Sequence, residues 1–252
     1  MKNTTIKYII LVACFLCSTN LLRAQLSGGE SFLQGLFLEL GIDNSGVYGT
    51  DGLGNLPAVG QQGVPYSPNN NNGLGFVSDP GMDGFNMGTP AFCGDFVTPG
   101  SPAEGFSVSF NNPGGFCQSS TNQNPAPSQI SGANQSLIYN PATGIIENIW
   151  AGASTSGIGL TQTTTLNEND LFFVTTVEVC NNSTMVMENV TYLRNFDPDN
   201  DREVCGSFST TNCVENGCTS MVEATGVCAG CYMAIETSDP RATAYSLSLI
   251  HI

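Results

Sequence analysis

The sequence predicts an all-β protein, an antiparallel β-sandwich (one large or two small) that is loop-rich and stapled by disulfides. Three observations predict it. The 252 residues include 29 Gly and 13 Pro, which favour turns over helix interiors. Only 11% of residues are charged, against ~25% in ordinary soluble domains, while 40% are hydrophobic, too many for high-charge disorder. Apolar residues recur at period two in successive short segments with no helical period between them, so neither a Rossmann fold nor a TIM barrel is expected.

The segments divide near residue 130. In the first half, residues 25–130, Leu36, Leu38, Leu40 and Ile42 alternate and predict a strand over 36–42. Residues 43–80 are dense in Gly, Asn and Pro and are expected at the surface. Phe106, Val108 and Phe110 alternate with Ser and predict a second strand; residues 118–130 are polar and expected as loop or linker. In the second half, residues 131–246, strand signals crowd together. Residues 136–139 and 145–150, joined by Asn140-Pro141-Ala142-Thr143-Gly144, predict a hairpin. Strands are also predicted over 157–166, 171–180 and 185–196, the last as one strand or a strand pair.

Both ends are expected to lie outside the folded body. Lys2 and Lys7 flank the start of an apolar run, Tyr8 to Cys17, and Leu22-Arg23-Ala24 has the form of a cleavage site, so residues 1–24 are expected to be a signal peptide. The run falls well under the ~20 residues needed to span a bilayer. Leu11-Val12-Ala13-Cys14 offers a second reading, a lipobox with Cys14 lipidated. Phe15 and Leu16 continue the apolar core after it, which favours cleavage after Ala24. Leu247-Ser248-Leu249-Ile250-His251-Ile252 matches the in-frame translation of a transposase end sequence used in DNA library construction, so residues 247–252 are expected to be foreign and the natural chain to continue.

Residues 25–246 then hold Arg194, Arg202 and Arg241, no Lys, no His and all 21 acids, a net charge of −18. Such a body repels phosphate backbones and anionic lipid, so no nucleic-acid partner is expected, and it attracts divalent cations. Without His it builds no Ser-His-Asp or Cys-His pair, and without Lys no Schiff base or P-loop.

Eight Cys remain: Cys93, Cys117, Cys180, Cys205, Cys213, Cys218, Cys228 and Cys231. An even count in an exported chain predicts disulfides. Cys93 and Cys117 stand alone in the first half and are expected to pair; the other six allow 15 connectivities. A four-thiolate zinc site from Cys213, Cys218, Cys228 and Cys231 is the competing reading, disfavoured by oxidising export. The Cys228–Cys231 pair as a thioredoxin-like motif lacks its βαβ setting.

In Asn195-Phe196-Asp197-Pro198-Asp199-Asn200-Asp201-Arg202-Glu203, acids recur every second residue. Asp197, Asp199, Asp201 and Glu203 are the candidate ligands of a calcium ion, the one cofactor the sequence offers, although Arg202 and Phe208 break the EF-hand pattern. A solvated Asx turn is the alternative. Paired carboxylates for glycoside hydrolysis can be drawn from Asp83, Asp95, Glu104, Glu147 and Glu178, with little specificity among so many acids. Trp150, Phe85, Phe92 and Tyr66 are candidates for stacking on sugars, though Trp150 at a strand end is expected in the core.

Residues 76–106 (FVSDPGMDGFNMGTPAFCGDFVTPGSPAEGF) and 192–208 (YLRNFDPDNDREVCGSF) resemble large secreted surface proteins of gliding Gram-negative bacteria. Those carry an N-terminal β-rich region, adhesion-type repeats and a C-terminal sorting or gliding-motility-associated domain. The resemblance implies location and architecture and no catalytic residue. The expected function is a noncatalytic cell-surface module of an adhesion-type protein, with glycans or other surface proteins as partners. The alternative is an accessory or catalytic β domain of a polysaccharide-acting enzyme.

Overall fold

The computed structural model describes residues 26–50, 54–67, 73–94, 96–97, 104–123, 127–214 and 220–246. Of these residues, 49% are in β-structure, arranged in four antiparallel sheets with no closed barrel.

The first sheet is a meander of β1 (Leu26–Ser27), β2 (Glu30–Gln34), β3 (Leu38–Ile42) and β4 (Phe76–Ser78). Every residue of β2, β3 and β4 is buried, so both faces of this sheet are covered. One face meets the second sheet, where β7 (Ile130–Asn140), β8 (Ile145–Ser154), β9 (Ile158–Asn167) and β10 (Phe173–Asn181) lie in the order β10-β9-β8-β7. There Leu33, Leu40 and Ile42 share a core with Leu137, Ile146 and Leu166. The other face carries Phe32 and Val77, packed with Tyr66 and Leu74.

The third sheet sets β5 (Gly105–Asn111) between β11 (Glu188–Asn195) and β6 (Cys117–Gln123). Phe106, Val108 and Phe110 of β5 pack with Val47, Trp150, Ile158 and Leu160. Phe106 meets the Trp150 indole edge-on at 5.6 Å between ring centroids. A smaller sheet of β12 (Thr210–Val214), β13 (Met221–Gly226) and β14 (Tyr232–Glu236) follows a one-turn helix α1 (Arg202–Cys205). It joins the first core through Cys231 and Met233.

The hairpin predicted around Asn140–Gly144 forms, with Gly144 N donating to Asn140 O at 2.9 Å. Three expectations are corrected. Residues 118–130 are not a linker: Cys117–Gln123 is a strand paired along its length with β5. A strand over 30–34, absent from the sequence reading, lies at the centre of the first sheet. Much of 43–80 is interior, with Val47, Tyr48, Leu74 and Thr50 fully or almost fully buried. Polar side chains make this burial possible by supplying the hydrogen bonds a ladder would give. Gln61 accepts from Gln34 N at 2.6 Å and donates to Phe32 O at 2.7 Å; buried Glu39 accepts from Gln34 Nε2 at 2.9 Å and Ser67 N at 2.7 Å. At Gly46, φ is +81° and a Cβ would lie 2.5 Å from the Trp150 ring, so this turn needs glycine on both counts. The sequence boundary at 130 marks a change in texture, and both larger cores cross it.

Candidate functional site

The chain leaving β11 carries the residues that sequence chemistry singled out. Arg194 points inward from β11, where its Nε donates to Glu104 Oε1 and its Nη1 to Gln162 Oε1, both at 2.5 Å. The guanidinium lies 3.7 Å from the centre of the Tyr48 ring, and Glu104 Oε2 accepts the Tyr48 backbone N–H. Burial pushes the Glu104 carboxyl above its ordinary range against the pull of Arg194. Burial opposes the Arg194 charge, but Glu104, Tyr48 and Tyr192 outweigh it and hold the guanidinium more strongly protonated than usual. Tyr192 is pushed up to about 12, chiefly by burial. Glu104, nominated for glycoside hydrolysis, is therefore committed to a buried ion pair.

Six residues on, Asn200 and Asp201 are both fully buried. Asp201 Oδ2 accepts the backbone N–H groups of Cys228 at 2.6 Å and Ala229 at 2.7 Å, and Oδ1 accepts that of Cys231 at 3.1 Å. The three donors sit in the Cys228-Ala229-Gly230-Cys231 turn and clasp the carboxylate as a backbone anion nest does. Glycine at 226 admits it, since a Cβ there would lie 2.1 Å from Asp201 Cγ. Asn200 Nδ2 donates to Ala224 O at 2.7 Å and Cys231 O at 2.8 Å, while its buried Oδ1 has no hydrogen-bond partner among the described residues.

Two disulfides close around this turn. Cys93 pairs with Cys231, Cα atoms 5.6 Å apart and 138 residues apart in sequence; Cys205 pairs with Cys228 across 6.7 Å and 23 residues. The expected Cys93–Cys117 pair is corrected. Cys93 is buried beside β4, where its backbone bonds Ser78, whereas Cys117 starts β6 at the surface. Sequence proximity cannot report which loops the sheets bring together. Cys117, Cys180 and Cys213 carry exposed free thiols, against the expectation that all eight pair, and Cys218 lies outside the described residues. With Cys228 and Cys231 each joined to another partner, neither the four-thiolate zinc set nor a Cys228–Cys231 redox pair forms. Asp201 lies within 4.8 Å of the Cys205 and Cys228 sulfurs, but sulfurs bonded to each other offer no thiolate.

The four acids proposed for calcium separate by role. Asp201 is turned into the Cys228–Cys231 nest. Asp197 and Asp199 flank Pro198 and are half-buried, Asp199 N donating to Phe96 O at 3.2 Å; Glu203 is half-buried in the first turn of α1. The remaining carboxylate candidates scatter. Asp83 is exposed, and Asp95 lies outside the described residues. Glu147 is in register with Thr165, which is in register with Val174, four residues from Glu178. Two strand spacings and four residue rises put the two Cα atoms ~16 Å apart, too far for either glycosidase geometry. Of the aromatics, Trp150 and Tyr66 are core, and Phe85 and Phe92 pack against the Phe32 cluster.

No family model, curated protein or solved structure matches this chain. No helix among the described residues is long and apolar enough to cross a membrane, and the two disulfides indicate an oxidising setting.

The sequence reading missed the Arg194–Glu104 pair and the Asp201 nest. A faint signal existed: Arg194 is one of three Arg in residues 25–246 and lies in a strand pattern, where a charge needs a buried partner.

Proposed function

We propose that the chain is a noncatalytic, exported cell-surface module of an adhesion-type protein, delivered by residues 1–24 and meeting glycans or other surface proteins outside the cell. The observation that carries the reading is the placement of its polar chemistry. The inward charged groups Glu104, Arg194 and Asp201 are each engaged by structural partners, and the Cys93–Cys231 disulfide joins segments 138 residues apart in sequence. Carboxylates so engaged serve the fold, and the outward pair Glu147 and Glu178 stands too far apart to act together. The deciding experiment presents the purified protein to a panel of glycans for binding and for turnover. Binding without turnover is expected; turnover abolished by one Asp or Glu substitution overturns the reading in favour of a polysaccharide-acting enzyme.

A second reading concerns calcium. The Asn200 Oδ1 orphan favours it, since a buried carbonyl oxygen beside Asp199 is the kind of hard ligand Ca²⁺ takes. The carboxylates of Asp197, Asp199 and Glu203 do not gather within 4.8 Å of one another in this structure, so calcium would have to draw them together around Asn200 Oδ1, with Asp201 held in its nest behind them. Chelation with EGTA is expected to lower the melting temperature by several degrees; an unchanged melt removes calcium from the account.

A further inference from the structure

The edges of the sheets are protected to very different degrees. β1 and β4 are two and three residues long, and β12 and β14 five each. β7 has a register shift between Asn134 and Ser136, and the chain folds back over β6, Gln123 N donating to Pro127 O and Gln129 N to Thr121 O. β11 carries an irregularity between Glu188 and Thr191, where Asn189 has φ of +51°. Bulges, shortness and covering loops are how proteins blunt an edge. β10 has none of these. It pairs with β9 through nine consecutive residues without a shift, contains no Pro, Gly or Lys, and has no ladder on its other side among the described residues. Every second residue there turns its N–H and C=O outward.

The surroundings are apolar. Phe172, Val174, Val179, Met185, Val186 and Leu193, on and beside β10 and β11, are all exposed by 38% or more. Between the two edges Val177 and Met187 are only half-buried against the Phe106–Trp150 core, so the sandwich is unfinished on this side. Residues 171–195 carry two acids, Glu178 and Glu188, and one base, the inward Arg194, so this is a charge-poor patch on a body of net charge −18.

We propose that the β10 edge is a docking site for an extended strand from another chain, one with apolar side chains at alternate positions and neutral or basic side chains between them. Strand addition satisfies the outward backbone groups and sets the partner's apolar row over Val177 and Met187. Its other row stands beside Val174, Thr176 and Glu178. The charge of the body disfavours an acidic strand and a second copy of this chain alike. The proposal names a partner for the surface-module reading and rests on it only for where that partner is met.

The test uses the full chain and a synthetic peptide, acetyl-KVTVKVTVK-amide, with amide hydrogen exchange as the readout. Exchange of the outward β10 amides is expected to slow at least tenfold with this peptide. No slowing is expected with the Glu-for-Lys peptide, nor with one N-methylated at alternate residues along one edge. In a Val174→Lys/Thr176→Lys variant the peptide is expected to bind at least tenfold more weakly, while β9–β10 amide protection stays unchanged and reports an intact fold. Absence of slowing overturns the proposal, as does equal slowing with the N-methylated peptide. A concentration-dependent dimer that protects β10 without peptide assigns the edge to a second copy and overturns it too. Failure of the peptide with glycan binding intact rejects the β10 edge alone, and glycan turnover rejects the surface-module reading alone.

Discussion

The two halves of this molecule invert what their sequences suggest. Residues 26–97 look like loops between short apolar pieces, yet β2, β3 and β4 are buried at every residue. Residues 130–195 show clean strands, yet their sheets leave Ile138, Val174 and Leu193 more than half exposed. Alternation is the mark of a strand with one wet face, yet β3 alternates while dry on both, because its buried Glu39 is hydrogen-bonded by Gln34 and Ser67. Glu30, Gln34, Glu39, Asp43 and Gln61 give the first half a hydrophilic composition while lying inside it.

The contrast can be broken most severely where the halves are tied. Replacing Cys93 and Cys231 together with Ser is expected to cost about 5 kcal/mol, since they close a loop of 138 residues, against about 3 kcal/mol for Cys205 and Cys228, which close one of 23. Urea unfolding of the two double variants under non-reducing conditions checks the order. Next comes the buried pair that links Glu104 to β11. Glu104→Ala leaves Arg194 without its counter-charge and is expected to cost ~3–5 kcal/mol; Glu104→Ala with Arg194→Met should recover part of that.

A paired comparison sharpens the point. Leu33→Ala, in a strand buried on both faces, is expected to cost ~2–5 kcal/mol, while Ile138→Ala, on the outer face of β7, should stay under about 1 kcal/mol. Similar values for the two would contradict the inversion. The smallest effect is one of pH. Burial raises the Glu39 carboxyl above its unfolded value of 4.5, so its folded form holds its proton more tightly. Stability from this group is complete below pH 4.5 and falls as pH rises through the folded value, so acidification from neutrality toward 5 should raise the melting temperature. Glu39→Gln is expected to flatten that slope.

How far the sequence could be read follows the same physics. The hairpin over 130–154 and the strands of 158–195 were legible because apolar and β-branched residues crowd into short runs bounded by turn signals. β6 was hidden by its Ser, Thr, Asn and Gln, and β2 by acids and amides whose partners lie tens of residues away. At the candidate site the acids were visible as a run, Asp197 to Glu203. Their division was not: it depends on Gly226 and on a turn around Cys228 that brings three N–H groups to Asp201 alone.

Composition and periodicity sufficed for an all-β sandwich with a strongly acidic charge balance, because those properties are sums over residues or patterns along the chain. Which cysteines join, which acids turn inward and which edge stays open were decided by contacts between distant segments. Such contacts form only when the sheets stack, and no local pattern encodes them.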